Sequence, residues 1–283
     1  MIQKYFLASL FVYINCTHAV NIAITIDDYP LPNSALFSTK ERTERFIKAC
    51  TEQGNNCKVA FFCIGQNCTE QNNADYLKLL ETNGHFIANH SMTHATLSKL
   101  SLHEFEQEIT TTDAILNAYS TMKKWYRYPC LDFGKTREDY HDSLECLQQL
   151  GYREGFVSIN TFDWYINKKL QEATAQHKTI PYDTLRTVYL TLLAEWIERA
   201  IDHYQKTLPT EITHTLLLHD NDLNALYLGD IITMIHDKGW HIVSPEVAFQ
   251  HVAWRRDLQN LDWKPDSLSI AYINKKLETA QIH

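Results

Sequence analysis

An α/β fold, a distorted (β/α)7-8 barrel forming one domain, is what the 283-residue sequence predicts. Short apolar runs alternate with longer amphipathic segments along nearly the whole chain, the pattern of parallel strands joined by helical crossovers. No Gly-, Ser- or Pro-rich linker divides it, and with 45% apolar residues the chain can build one large core. Seven or eight strand–helix units favour a barrel over an open sheet.

The elements follow in order. Ile22–Ile26 reads as a strand and Lys40–Gln53 as a helix stopped by Gly54. Lys58–Ile64 is the next strand, Ala74–Thr82 a helix ended by Asn83-Gly84, and His85–Ala88 a short strand. Ser101 with Glu104 three residues on is a capping box, opening a helix that runs to about Tyr119. Trp125–Tyr128 is a strand, Glu138–Leu150 a helix and Gly155–Ile159 a strand. Tyr182–Lys206 is the longest helical pattern, and Thr213–Leu218 a nearly pure apolar strand. Leu223–Lys238 (helix), Trp240–Val243 (strand) and Pro245–Val252 (helix) complete the series, leaving 254–283 as an extension without an assigned role. A near-repeat, Tyr165–Leu170 against Tyr272–Leu277 (Y-I-N-K-K-L in both), is too isolated to mark a solenoid.

The N-terminus has the form of an export signal over residues 1–19. Lys4 supplies a charge, Tyr5 to Ile14 an apolar core, and Thr17-His18-Ala19 a cleavage site. A buried N-terminal strand or helix is the alternative, and Cys16 after Asn15 is a poor match to a lipid anchor. No segment approaches the roughly 20 apolar residues that span a bilayer, so the expected location is exported, periplasmic or secreted. Six cysteines then remain: Cys50, Cys57, Cys63, Cys68, Cys130 and Cys146. The pairs 50/57 and 63/68 bracket short loops and are candidate disulfides, free buried thiols being the other reading. A formal charge of −8, with no basic run among aromatics, argues against a nucleic-acid surface.

Polar residues gather where the strands end. Asp27-Asp28 follows the first, Asn89-His90-Ser91-Met92-Thr93-His94 the third, and Arg127, Pro129 and Cys130 sit at the end of the fourth. Asp163-Trp164 follows the fifth and His219-Asp220 the apolar strand. In parallel α/β folds such ends converge on one face, where sites assemble. Asp27-Asp28-Tyr29-Pro30 alone would be an ordinary turn. Beside His90 and His94, four residues apart, it becomes a source of the charged third ligand that an open His₂-carboxylate metal site requires.

T-I-D-D, H-S-M-T-H, R-Y-P-C, F-D-W and L-L-L-H-D, in that order, resemble the five motifs of the polysaccharide deacetylases, the NodB-like carbohydrate esterases of family 4. The resemblance covers about Val20 to Val252 and implies metal-dependent removal of acetyl groups from a glycan containing N-acetylglucosamine, peptidoglycan- or chitin-like. It implies Asp28, His90 and His94 as ligands of a divalent metal, zinc foremost and cobalt or another ion tolerated. Asp27 would be the general base on the metal-bound water, with Arg127 fixing its orientation. His219 would be the acid that protonates the leaving group, with Asp163 holding its imidazole. Trp164 and Leu217 would wall the acetyl pocket and the Cys130 backbone N–H would help hold the oxyanion.

Three positions depart from the family pattern. Tyr29-Pro30 stands where Gly is usual after the acid pair, Cys130 where an aromatic is usual, and Asn160 where a further acid often precedes Asp-Trp. No expected ligand, base or acid is missing. The departures leave open an O-acetyl esterase, another amide hydrolase, or a non-catalytic glycan-binding descendant.

Overall fold

A computed structural model describes residues 19–52, 57–70, 72–208, 212–250 and 269–279. The export-signal segment, the helix stop at Gly54 and most of the C-terminal extension lie outside the described residues. β1 (Asn21–Tyr29) is the axis of an all-parallel sheet. Along one edge it pairs with β7 (His214–His219), bringing Asp27 opposite His219. Its other edge is shared by β8 (His241–Ile242) at the start and β2 (Ala60–Cys63) further on. Beyond β2 come β3 (Phe86–Asn89), β4 (Met122–Tyr126) and β5 (Arg153–Glu154), and beyond β7 comes β6 (Ile159–Asn160).

The strand expected over Gly155–Ile159 is split between β5 and β6. β5 pairs with β4 at one end of the sheet and β6 with β7 at the other, with only residues 155–158 between them. That crossing brings the two sheet ends round toward each other and makes the distorted barrel; among the described residues no ladder joins β5 to β6. Gly155 suits the crossing, because a Cβ there would lie 2.5 Å from the Phe62 ring.

Side chains alternate between the two faces of β1, both of them buried. Ile22, Ile24 and Ile26 join the large outer core with Leu216, Leu218, Leu192 and Ile231. The opposite face looks into the barrel, where Ala60, Phe62, Ala88, Trp125 and Phe249 form a separate cluster. The helices are α1 (Thr39–Glu52), α2 (Gly65–Cys68), α3 (Asn73–Thr82), α4 (Leu102–Leu116) and α5 (Arg137–Gln149). They continue with α6 (Asp163–Ala175), α7 (Tyr182–Thr207), α8 (Asp222–Asp237), α9 (Pro245–Gln250) and α10 (Ile270–Thr279). The Ser101/Glu104 capping box is present with both of its hydrogen bonds. α6 was not foreseen: it starts directly at Asp163, with no side-chain cap to announce it.

The near-repeat now has a packing explanation. Ile166 and Leu170 of α6 are fully buried, and so are Ile273 and Leu277 of α10. The same i, i+4 apolar pair docks both helices, and they touch through Tyr165 Oη donating to Asn274 Oδ1 at 2.8 Å. Part of the C-terminal extension thus packs on the barrel, with Tyr272 hydrogen-bonded to Glu195 of α7. The six described cysteines are free thiols, yet Cys50 meets Cys57 and Cys63 meets Cys68 side chain to side chain. No described helix is long and apolar enough to cross a membrane.

Candidate active site

At the C-terminal mouth of the barrel a cleft of about 470 Å³ is lined by residues from every motif the sequence offered, including Asp27, Asp28, His94, Trp164, Leu217 and His219. β1 delivers the acid pair. Asp27 is 3% exposed, and both its oxygens accept from Arg127 Nη1, at 2.9 and 3.0 Å. Arg127 lies just past β4, at the strand's end as the sequence placed it. Its guanidinium sits over the Phe62 ring at 4.3 Å, which holds it on the interior face.

Asp28 has φ 65°, a left-handed backbone that turns its carboxylate away from Asp27 and toward the two histidines. Its Oδ1 lies 3.3 Å from His90 Nε2 and 3.0 Å from His94 Nε2. None of these approaches has hydrogen-bond geometry, and Oδ1 is a buried oxygen without a partner.

The tautomer of His90 is fixed by its neighbour. Nδ1 lies 2.8 Å from the Arg127 carbonyl, which can only accept, so Nδ1 carries the proton and Nε2 of the neutral ring presents a lone pair. One carboxylate oxygen and two imidazole nitrogens therefore converge within 4.8 Å of one another. A donor set of this kind, with an orphaned buried oxygen, fits a divalent cation.

The loop carrying the histidines is pinned by residues that the sequence reading passed over. Gly65 and Gln66 donate their backbone N–H groups to Ser91 and Met92 carbonyls, each at 2.9 Å. A Cβ on Gly65 would fall 2.7 Å from Met92 Sδ and 2.6 Å from Thr112 Oγ1, so this close approach needs glycine. Glu108 of α4 accepts from both the backbone and the hydroxyl of Thr93. Of the seven non-glycine residues with positive φ among the described residues, five are Asp28, Ser91, His94, Cys130 and Leu131, all at this mouth. Strain of that kind persists only where surroundings over-determine it.

Opposite the triad stands His219. Its Nδ1 donates to Asp163 Oδ1 at 2.7 Å, leaving Nε2 toward the cleft. Burial lowers the imidazolium's pKa, but the Asp163 charge and hydrogen bond outweigh it and lift the value to about 9. Asp163 is fully buried; its Oδ2 accepts from the His219 backbone at 2.9 Å and from Asn221 and Asn224 at 2.9 and 2.5 Å. The two asparagines were absent from the sequence reading because the start of α8 concealed them: Asn221 also caps that helix. Trp164 is 46% exposed at the cleft rim and Leu217 is buried in its wall. Phe162, also unforeseen, tilts against Trp164 with ring centres 5.8 Å apart. Cys130 lies at the opposite rim, exposed.

A parallel barrel whose mouth holds a carboxylate–imidazole triad, an Arg-bound second acid and an Asp–His pair defines a narrow structural class. The chain belongs to the polysaccharide deacetylase family, whose model matches residues 15–155. Over 148 residues it is 27% identical to the peptidoglycan-N-acetylglucosamine deacetylase of Bacillus cereus, a match covering 50% of this chain and 46% of that protein. The chain thus spans about half the length of the curated relative it matches. Among solved structures, the chitin deacetylase of the fungal pathogen Colletotrichum lindemuthianum superposes with TM-score 0.57 at 20% identity, covering 84% of this chain and 90% of that one. A family 4 pseudoenzyme from Bacillus anthracis also gives TM-score 0.57, at 15% identity over 81% and 66%. These superpositions establish the fold.

Proposed function

We propose that the protein is an exported, metal-dependent deacetylase that hydrolyses acetamido groups on an N-acetylglucosamine-containing glycan, peptidoglycan- or chitin-like. The observation that carries this reading is the pairing, in one cleft, of the Asp28–His90–His94 triad with two separately oriented proton-transfer groups, Asp27 and His219. Family membership and the Bacillus cereus relative support the substrate class.

Asp28, His90 and His94 would hold a divalent ion, zinc foremost. Bound there, such an ion supplies a Lewis acid for the acetyl carbonyl and makes water ionisable near neutral pH. Asp27, aimed by Arg127, accepts the proton of the attacking water. The backbone N–H of Cys130 would donate to the carbonyl oxygen as charge develops there. His219, protonated at neutral pH by virtue of Asp163, passes a proton from Nε2 to the departing amine, which leaves poorly as an anion. Leu217 and Trp164 enclose the acetyl methyl and exclude water from it.

The test is acetate release from N-acetylglucosamine oligomers and from peptidoglycan, with zinc-loaded protein and with protein stripped by chelator. Release that needs the metal and disappears in Asp27→Asn supports the assignment. Metal-replete protein that binds the oligomers and releases no acetate is instead a glycan-binding descendant. Turnover of acetylxylan alone makes it an O-acetyl esterase.

A further inference from the structure

Arg42, in the second turn of α1, is 1% exposed, and the reaction outlined above gives it no task. It is partnered on every side. Nε donates to Asp220 Oδ1 at 2.8 Å. Nη2 donates to the carbonyls of Leu31 at 2.5 Å and Pro32 at 3.0 Å, and Nη1 to that of Phe37 at 3.2 Å. Asp220 is itself fully buried, and its Oδ2 accepts from Leu31 N–H at 2.7 Å. Its backbone N–H donates to the Asp27 carbonyl at 2.9 Å. One ion pair thus gathers the loop leaving β1 and ties it to the residue after His219. Asn221, not Asp220, caps α8, which leaves Asp220 free to act as a brace.

The brace sits where this chain departs from its family. Asp28 adopts a left-handed backbone without glycine behind it, and the following Tyr29-Pro30 is buried. A conformation of that kind must be imposed by its surroundings, and the guanidinium's grip on Leu31 and Pro32 begins three residues after Asp28. Only a planar, multi-donor head group reaches a carboxylate and three carbonyls at once.

We propose that Arg42 and Asp220 are positioning residues: a buried clamp that sets the β1 tip, with Asp27 and Asp28, in register with the β7 tip carrying His219. The role rests on the deacetylase reading for its catalytic consequence, whereas its effect on cation binding does not. Loosening the clamp lets the Asp28 carboxylate swing from the point where His90 and His94 aim.

Three full-length variants test it: Arg42→Lys, Asp220→Asn, and Leu185→Ala as a control that opens a cavity in the outer core, outside the clamp and the ligand set. Zinc affinity is measured by competition with a chromophoric chelator, alongside circular dichroism, thermal unfolding, kcat and KM. Arg42→Lys should fold and bind zinc about 10-fold more weakly, the loss expected when support outside the ligand set is removed. Its kcat should fall while KM stays put. Asp220→Asn, which keeps an acceptor for Leu31 N–H, should show the same losses in smaller degree. Leu185→Ala should lower the melting temperature and leave zinc affinity as it was. If Arg42→Lys does not fold, Asp220→Asn carries the comparison. Folded clamp variants that match the parent in zinc affinity and kcat overturn the clamp and leave the deacetylase reading standing. A parent that binds zinc without releasing acetate sinks the deacetylase reading, and the zinc affinities still decide the clamp. A parent that binds no zinc overturns both.

Discussion

The two walls of the cleft are built on opposite principles. The triad wall, carried by β1, β3 and their loops, is strained: Asp28, Ser91 and His94 all have left-handed backbones, held by hydrogen bonds from α2, α4 and the Arg42 clamp. The acid wall, carried by β6, β7, α6 and α8, has none of these outliers among its described site residues. There Asp163 and His219 are positioned by satisfied side-chain hydrogen bonds from Thr161, Asn221 and Asn224. A metal site demands three donors at one point, whatever the backbone must do to bring them there. A general acid needs one correctly charged ring, which a buried carboxylate secures without distorting the chain.

The comparison breaks most sharply at Asp27. Asp27→Asn keeps the shape of the triad wall and removes the base, so kcat should drop by about 10²- to 10⁴-fold. Zinc content, measured on the same sample, should equal the parent's. Loss of zinc together with activity would place Asp27 among the ligands and overturn the division between the two acids.

On the acid wall the effect is a displacement along the pH axis. As the proposed acid His219 works protonated, so the rate should fall as pH rises through its pKa, which Asp163 raises to about 9. Asp163→Asn removes the lifting charge, and the alkaline limb of kcat should move down by about 1–3 pH units. A bound cation lowers the limb in both proteins, so the shift between them is the quantity to compare. The same sign governs stability: the raised pKa contributes fully below about 6.5 and is lost as pH climbs through about 9. Thermal melts from pH 6 to 10 should therefore decline less steeply in the variant. An unmoved limb would mean that another group donates the proton.

How much of this was legible beforehand also differs by wall. The residues of the triad wall stood out in the sequence, because candidate metal ligands are a short list of residue types and His90 and His94 lie four apart. The central strands were equally readable from their apolar runs. The acid wall was half visible. Asp163 and His219 stood out, while Asn221 and Asn224 looked like the polar start of a helix, which they also are. Arg42 gave no signal, since a lone arginine in an amphipathic helix ordinarily lies on the solvated face. The split of the Gly155–Ile159 strand depends on which sheet end each half meets, a long-range choice that local periodicity does not encode. Both thiol pairs were anticipated from loop spacing and do meet, although as free thiols.

The smallest effect sharpens the idea that strain on the triad side serves the ligands. Cys130 has φ 56°, yet its exposed thiol holds nothing in the cleft together. Glycine would remove a left-handed penalty of roughly 1–2 kcal/mol and restore part of it, about 0.5–1 kcal/mol, through the freer unfolded chain. Cys130→Gly should therefore melt within a few degrees of the parent, on the higher side, at roughly 2–4 °C per kcal/mol for a domain near this size. The backbone N–H assigned to the acetyl oxygen survives the change, so kcat should stay within about twofold of the parent, far inside the range for loss of an oxyanion donor. A lower melting temperature with intact zinc binding would show that the thiol packs more than its exposure implies. A fall in kcat alone would show that the Cys130 side chain itself shapes the path of the glycan.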